Sequence, residues 1–185
     1  MSSNSLYIVL MRTNTIISKM IHLFKRDEYT HAAISLDREL NHMYSFGRKQ
    51  IYNPFIGRFN RERLDQGVYR LCPILPGVVI RVDVTDVQYR IAERLIEYFM
   101  TNREFYKYNY KGLVYNLFNQ EAYSENRFLC SEFVYYIIKE SGVADLQKPA
   151  NLVRPQHLLD VSSDIVYAGD LKNYIYQSGY ELLEA

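Results

Sequence analysis

Apolar and polar positions along the chain change period several times, and each change predicts an element. Leu6-Tyr7-Ile8-Val9-Leu10-Met11 is a short branched apolar run, the pattern of a buried strand. Asn14 or Thr15 then caps a helix with Ile16, Ile17, Met20, Ile21 and Phe24 on one face. Lys19, Lys25 and Arg26 lie off that stripe, and His22 is predicted to be exposed. Residues 30–36 alternate as a strand, with His31, Ala33 and Ser35 on one face and Ala32, Ile34 and Leu36 on the other. The small Ala33 and Ser35 leave room for another element beside His31. Asp37-Arg38-Glu39 is a polar turn, and residues 40–46 return as a second strand. Met43 and Ser45 share one of its faces, His42 and Tyr44 the other, and Gly47 ends it.

Residues 48–63 show no period. They are basic (Arg48, Lys49, Arg58, Arg61, Arg63) and broken by Asn53-Pro54 and Gly57, which predicts a solvated loop or a lip that meets an anionic group. Residues 68–72 form a strand closed by Pro73, with Cys72 as a packing residue. Pro76-Gly77 is a turn before a strand over 78–84. Thr85 and Gln88 make a capping box for a helix that presents Val87, Ile91, Leu95, Tyr98 and Phe99 inward. Residues 106–112 form a polar aromatic connector, 113–118 a short helix and 121–127 a polar loop.

Phe128-Leu129-Cys130-Ser131-Glu132-Phe133-Val134-Tyr135-Tyr136-Ile137-Ile138 is the most apolar stretch. Phe133, Val134, Ile137 and Ile138 fall at helical spacing, Ser131 or a neighbour caps the start, and Gly142 supplies a left-handed stop. Lys148-Pro149 is a break. Arg154-Pro155-Gln156-His157-Leu158-Leu159 starts a short helix that leaves His157 at the surface. Residues 165–168 are a last strand before Gly169-Asp170. No internal repeat or linker appears, so residues 1–185 read as a single domain.

The long helix puts Cys130 at its positive end. A thiolate, not a thiol, is the nucleophile, and a free cysteine titrates near about 8.5. A helix N-terminus offers roughly half a positive charge, whereas a neighbouring imidazolium offers a full one. A histidine partner is therefore what separates a reactive cysteine from a packing residue.

Composition narrows the classes. Charged residues make up 23% of the 185 and hydrophobic ones 48%, the balance of a globular chain. A net charge of +1 gives no drive toward nucleic acid. Two cysteines make neither a disulfide framework nor a zinc set. No apolar run reaches the roughly 18–20 residues that span a bilayer, and the N-terminus lacks a basic lead and a cleavage site. The expectation is a cytoplasmic protein without stable membrane insertion. The 18 tyrosines suit half-buried sheet surfaces.

His31 precedes Cys130 by 99 positions, and neither belongs to a local metal motif. The sequence Tyr29-Thr30-His31-Ala32-Ala33-Ile34-Ser35-Leu36, a return strand, and later Phe128-Leu129-Cys130-Ser131-Glu132-Phe133-Val134-Tyr135 resembles the circularly permuted branch of the NlpC-type papain-like superfamily. That branch includes bacterial YiiX-like proteins and relatives of lecithin:retinol acyltransferase. In unpermuted members the cysteine helix comes before the histidine strand. The similarity runs loosely from Leu6 to Asp160 and is sharp only around His31 and Cys130.

The resemblance implies an α+β fold, an antiparallel sheet or partial barrel packed against helices with the cysteine at a helix N-terminus. It also implies a thiol hydrolase or acyltransferase acting on a peptide-like amide or an acyl ester, without cofactor or metal. Cys130 would attack the carbonyl carbon, His31 would handle the proton, and the Cys130 N–H would help hold the oxyanion. The family places a third polar residue on the strand after the histidine. Ser45 aligns there, with His42 as the competing choice, and a serine lacks the charge of a carboxylate. The family's upstream tyrosine corresponds to Tyr110 in Tyr108-Asn109-Tyr110, a candidate substrate-binding donor. Two other classes remain open: a non-catalytic papain-like binding domain, motivated by the weak third residue, and metal binding through His31, Cys130 and Cys72. The latter needs at least three converging ligands.

Overall fold

The computed structural model describes residues 4–13, 27–48, 57–162 and 164–174. Among them lie eight strands: β1 (Asn4–Met11), β2 (His31–Ser35), β3 (Met43–Arg48), β4 (Gly57–Glu62), β5 (Pro76–Val84), β6 (Lys107–Tyr108), β7 (Arg127–Phe128) and β8 (Ile165–Asp170). The helices are α1 (Gly67–Arg70), α2 (Asp86–Thr101), α3 (Tyr110–Leu117) and α4 (Cys130–Glu140), followed by 3-10 turns over Ala150–Leu152 and Pro155–Val161. The architecture is α+β. The strands form one curled half-barrel sheet in the order β7-β6-β4-β3-β2-β1-β5-β8, antiparallel except for the short β6–β7 pair. The expected helix over residues 14–26, with His22, lies outside the described residues.

Two cores, one on each face, explain the strand sequences. Ala32, Ile34, Leu6, Ile8, Leu10, Phe46 and Phe59 face the helices α2 and α4. Ala33, Tyr7, Val9, Met11, Met43 and Val79 face a second, smaller core with Leu64, Tyr69, Cys72 and Leu75. β1 is buried on both sides, which is why it reads as a continuous apolar run rather than an alternation. β1 pairs with β2 at Met11↔His31 and with β5 from Asn4↔Val84 to Met11↔Gly77.

Four expectations change. Part of the basic stretch is strand β4, paired with β3 along Met43↔Glu62 through Arg48↔Gly57, and Phe59 is its buried anchor. Residues 49–56 lie outside the described residues. The strand expected over 68–72 is instead the one-turn helix α1, entered through Gly67 at φ +58°. On α2 the buried residues are Ala92, Ile96 and Phe99, whereas Val87 and Tyr98 are each 57% exposed. That helix is rolled so that Phe99 enters an aromatic cluster with Phe59, Phe128 and Phe133. Finally, α3 starts before Leu113, because the Asn109 side chain accepts from the Gly112 N–H at 2.8 Å and caps it. Among the described residues no helix is long and apolar enough to cross a membrane.

Candidate active site

Helix α4 is held at both ends and along one side. At its start Leu129 is the N-cap residue, and the Glu132 carboxylate accepts from the Leu129 N–H at 3.0 Å. Capping thus falls to Glu132. Ser131, the expected cap, donates to the Val153 carbonyl at 2.6 Å and ties the later 3-10 segment to the helix. Burial pushes the Glu132 carboxyl up to about 7, and its hydrogen bond from the Leu129 N–H opposes that shift. At the other end Gly142 adopts φ +71°, and the Val143 N–H closes onto Ile138 O at 3.0 Å, as the sequence predicts. Phe133 packs edge-on to Phe59, Phe99 and Phe46 with centroids 5.0–5.5 Å apart. This clamp fixes where the first helical residue, Cys130, must lie.

The helix packs on the Ala32 and Ile34 face of β2, not on the Ala33 and Ser35 face that the small side chains suggested. Ala33 is buried in the second core. His31 and Cys130 nevertheless meet, because each opens its element: His31 is the first residue of β2, Cys130 the first of α4. The two groups lie close enough for the Cys130 sulfur to act electrostatically on the imidazole. Cys130 is 6% exposed.

The ring's other partner was not foreseen. His31 Nε2 lies 3.0 Å from Glu62 Oε2, with the two side chains 13% and 10% exposed. The same carboxylate oxygen accepts from the buried Tyr69 hydroxyl at 2.6 Å. Glu62 Oε1 occupies space that only a glycine leaves: a Cβ on Gly47 would stand 2.3 Å from it and 3.8 Å from the His31 ring. Ser45 shares the His31 side of the sheet but donates to the Ala32 carbonyl at 2.6 Å, turned into the sheet. It therefore does not orient the ring. His42 lies 3.5 Å from Asp37 with a side chain 52% exposed, away from His31. The ring's charged partner comes from β4, one strand further than the resemblance implied, and it is a carboxylate.

Burial opposes a charge on His31, but Glu62 and the Cys130 sulfur outweigh it and push the imidazole up to about 10. The partners of the ring thus favour its charged form. Burial and the Glu62 charge push the Tyr69 phenol well above its ordinary value, so it stays a donor.

Beside Cys130 opens a small pocket of about 30 Å³, continuous with solvent and lined by α3, the Leu129-Cys130-Ser131 turn, Thr30 and the Arg154-Pro155 segment. Tyr108 lines it; Tyr110, the tyrosine expected there, instead packs on Tyr108 with centroids 4.8 Å apart. His157 is half-buried against Arg154, whose guanidinium also pairs with Asp27 at 2.7 Å. Three arginines of the predicted lip are spent on neighbours: Arg58 on Glu104, Arg61 on the Asn41 carbonyl and Arg63 on Asp65. Cys72 belongs to the second core and donates to the Val68 carbonyl at 3.6 Å. Among the described residues no group of three or more His, Cys, Asp or Glu side chains is arranged to hold a metal ion.

Glu62 and Tyr69 are the residues the sequence reading missed. The signal for Glu62 was present: it is the only acidic residue in the otherwise basic stretch 48–63. Nothing local marked Tyr69. No protein-family model and no curated protein sequence matches the chain.

Proposed function

We propose that this protein is a cysteine-dependent hydrolase or acyltransferase of the permuted papain-like type, acting on an amide or acyl-ester carbonyl. The observation that carries the proposal is the convergence of Cys130, His31 and Glu62 from three distant parts of the chain beside an open pocket. A cationic ring beside a sulfur favours the nucleophilic thiolate. The thiolate attacks the carbonyl carbon, and the oxyanion forms near the Cys130 N–H, one of the helix donors without an intrahelical acceptor. The C–O or C–N bond then breaks, and the imidazolium gives its proton to the departing oxygen or nitrogen. Water, or an acceptor alcohol or amine, attacks the thioester while His31 takes its proton, and the thiolate is restored. Glu62 holds the ring in the productive orientation and stabilises its charge; Tyr69 steadies Glu62. The helix order and the half-barrel sheet support the resemblance. The carboxylate removes the motive for a non-catalytic reading, which rested on a serine in the third position.

The test is labelling with a thiol-directed carbonyl probe followed by mass spectrometry. Wild-type protein is expected to carry the label on Cys130, and His31→Ala to label at least about 10²-fold more slowly. Equal labelling of the two proteins overturns the proposal.

A further inference from the structure

The pocket beside Cys130 contains polar side chains, yet nearly all of them are committed elsewhere. Thr30 Oγ1 accepts from the Thr13 N–H at 3.3 Å. Asn116 Nδ2 donates to the Asn151 carbonyl at 2.6 Å, and Ser131 Oγ to the Val153 carbonyl at 2.6 Å. Arg154 is held between Asp27 and His157. A group already paired within the protein gains little by exchanging that partner for a ligand atom. The rest of the wall is Leu113, Leu117, Leu129, Pro155 and the Tyr108 ring. Leu113 and Leu117 stand one helical turn apart on the half-buried side of α3, and Val114, Tyr115 and Phe118 occupy its exposed side. Asn109 caps this helix, and Asn116 ties it to the segment after α4. The two leucines are therefore presented on an anchored element.

We infer that this pocket is a subsite for an apolar group next to the scissile carbonyl, an aliphatic or aromatic moiety and not a charged one, with Leu113 and Leu117 setting the size accepted. The inference rests on the thiol-acyl-transfer reading above and adds the substrate chemistry at its site. An anionic group has the Arg154 charge within the same wall, but Asp27 neutralises that charge at 2.7 Å. An apolar group gains from every methylene removed from water, up to roughly fourfold in rate constant per methylene.

The experiment measures acylation of Cys130 by p-nitrophenyl acetate, butanoate, hexanoate and hemisuccinate. The readouts are p-nitrophenolate release in the first turnover and the mass added to Cys130. The second-order rate constant is expected to rise at least tenfold from acetate to hexanoate, with hemisuccinate no faster than acetate. Leu117→Trp, which fills the pocket, is expected to slow hexanoate more than acetate. Leu113→Ala, which enlarges it, is expected to raise the rate with p-nitrophenyl octanoate relative to hexanoate; circular dichroism checks that both variants are folded. Equal rates along the series, or a preference for hemisuccinate, overturn the inference while leaving the thiol enzyme intact. If no ester acylates Cys130 and the carbonyl probe also fails to label it, the thiol-enzyme reading falls and takes the subsite with it.

Discussion

The two faces of the sheet are built from different materials. On the helix side, Phe46, Phe59, Phe99, Phe128 and Phe133 pack ring against ring. On the other side, Tyr69 and Ala33 belong to an apolar core whose margin holds a charged chain, Tyr69 to Glu62 to His31. The first face determines where Cys130 stands, because it seats α4. The second determines the charge and aim of the ring that meets Cys130. Position comes from nondirectional packing, and chemistry from directional hydrogen bonds. Damage to the two faces should therefore read out differently.

The largest effect is expected on the aromatic side. Phe133→Ala removes a fully buried ring from the cluster and should cost about 3–5 kcal/mol of stability in urea unfolding. That loss should not depend on pH, since no titrating group is removed. If Phe133→Ala leaves stability unchanged but abolishes labelling of Cys130, the division between the faces is wrong.

Glu62→Gln should do the reverse, with a smaller change in stability and a larger one in chemistry. The rate of Cys130 acylation should fall on the order of 10²-fold. The alkaline limb of activity, set by His31 near 10 in the wild type, should move down by at least about one pH unit toward the ordinary imidazole value. The stability consequence has a definite sign. The folded His31 value lies above the ordinary 6.5, so its contribution is complete below about 6.5 and is lost as pH rises through about 10. Unfolding curves for Glu62→Gln and wild type should accordingly converge at high pH; a constant gap sinks this account.

Tyr69→Phe is expected to be the mildest and the most discriminating. Without the phenol, the Glu62 carboxylate accepts from His31 alone, and its charge acts on the ring undivided. The alkaline limb should then move up by a few tenths of a pH unit, opposite in sign to Glu62→Gln. Activity should fall about three- to tenfold as the carboxylate loses its second anchor. A downward limb would show that Tyr69 supports the imidazolium by another route.

Much of the frame was legible in the sequence. Continuous runs marked β1 and β5, alternation gave the faces of β2 and β3, and period plus Gly142 fixed α4. The cysteine and histidine were legible because each heads an element with a strong pattern. β4 was not, since Arg58-Phe59-Asn60-Arg61-Glu62 offers only one apolar residue and its partner strand supplies the rest of the signal. The third site residue followed β4 into obscurity. Ser45 faces the correct side, and alternation alone has no means of showing that its hydroxyl turns to the Ala32 carbonyl. Reading Glu62 as the ring's partner needs the curl of the sheet and the vacancy at Gly47, both products of the assembled chain. Tyr69 sits in a branched and aromatic run whose local preference is for strand, and Gly67 turned it into a helix.

The proposed nucleophile and its base come from residues 130 and 31, and the carboxylate beside the base from residue 62, three widely separated parts of the chain. A nascent or partly collapsed chain carries the same sulfur without the imidazolium beside it. On the proposed function, activation of that sulfur waits on the long-range strand pairings that bring residues 31 and 62 beside residue 130.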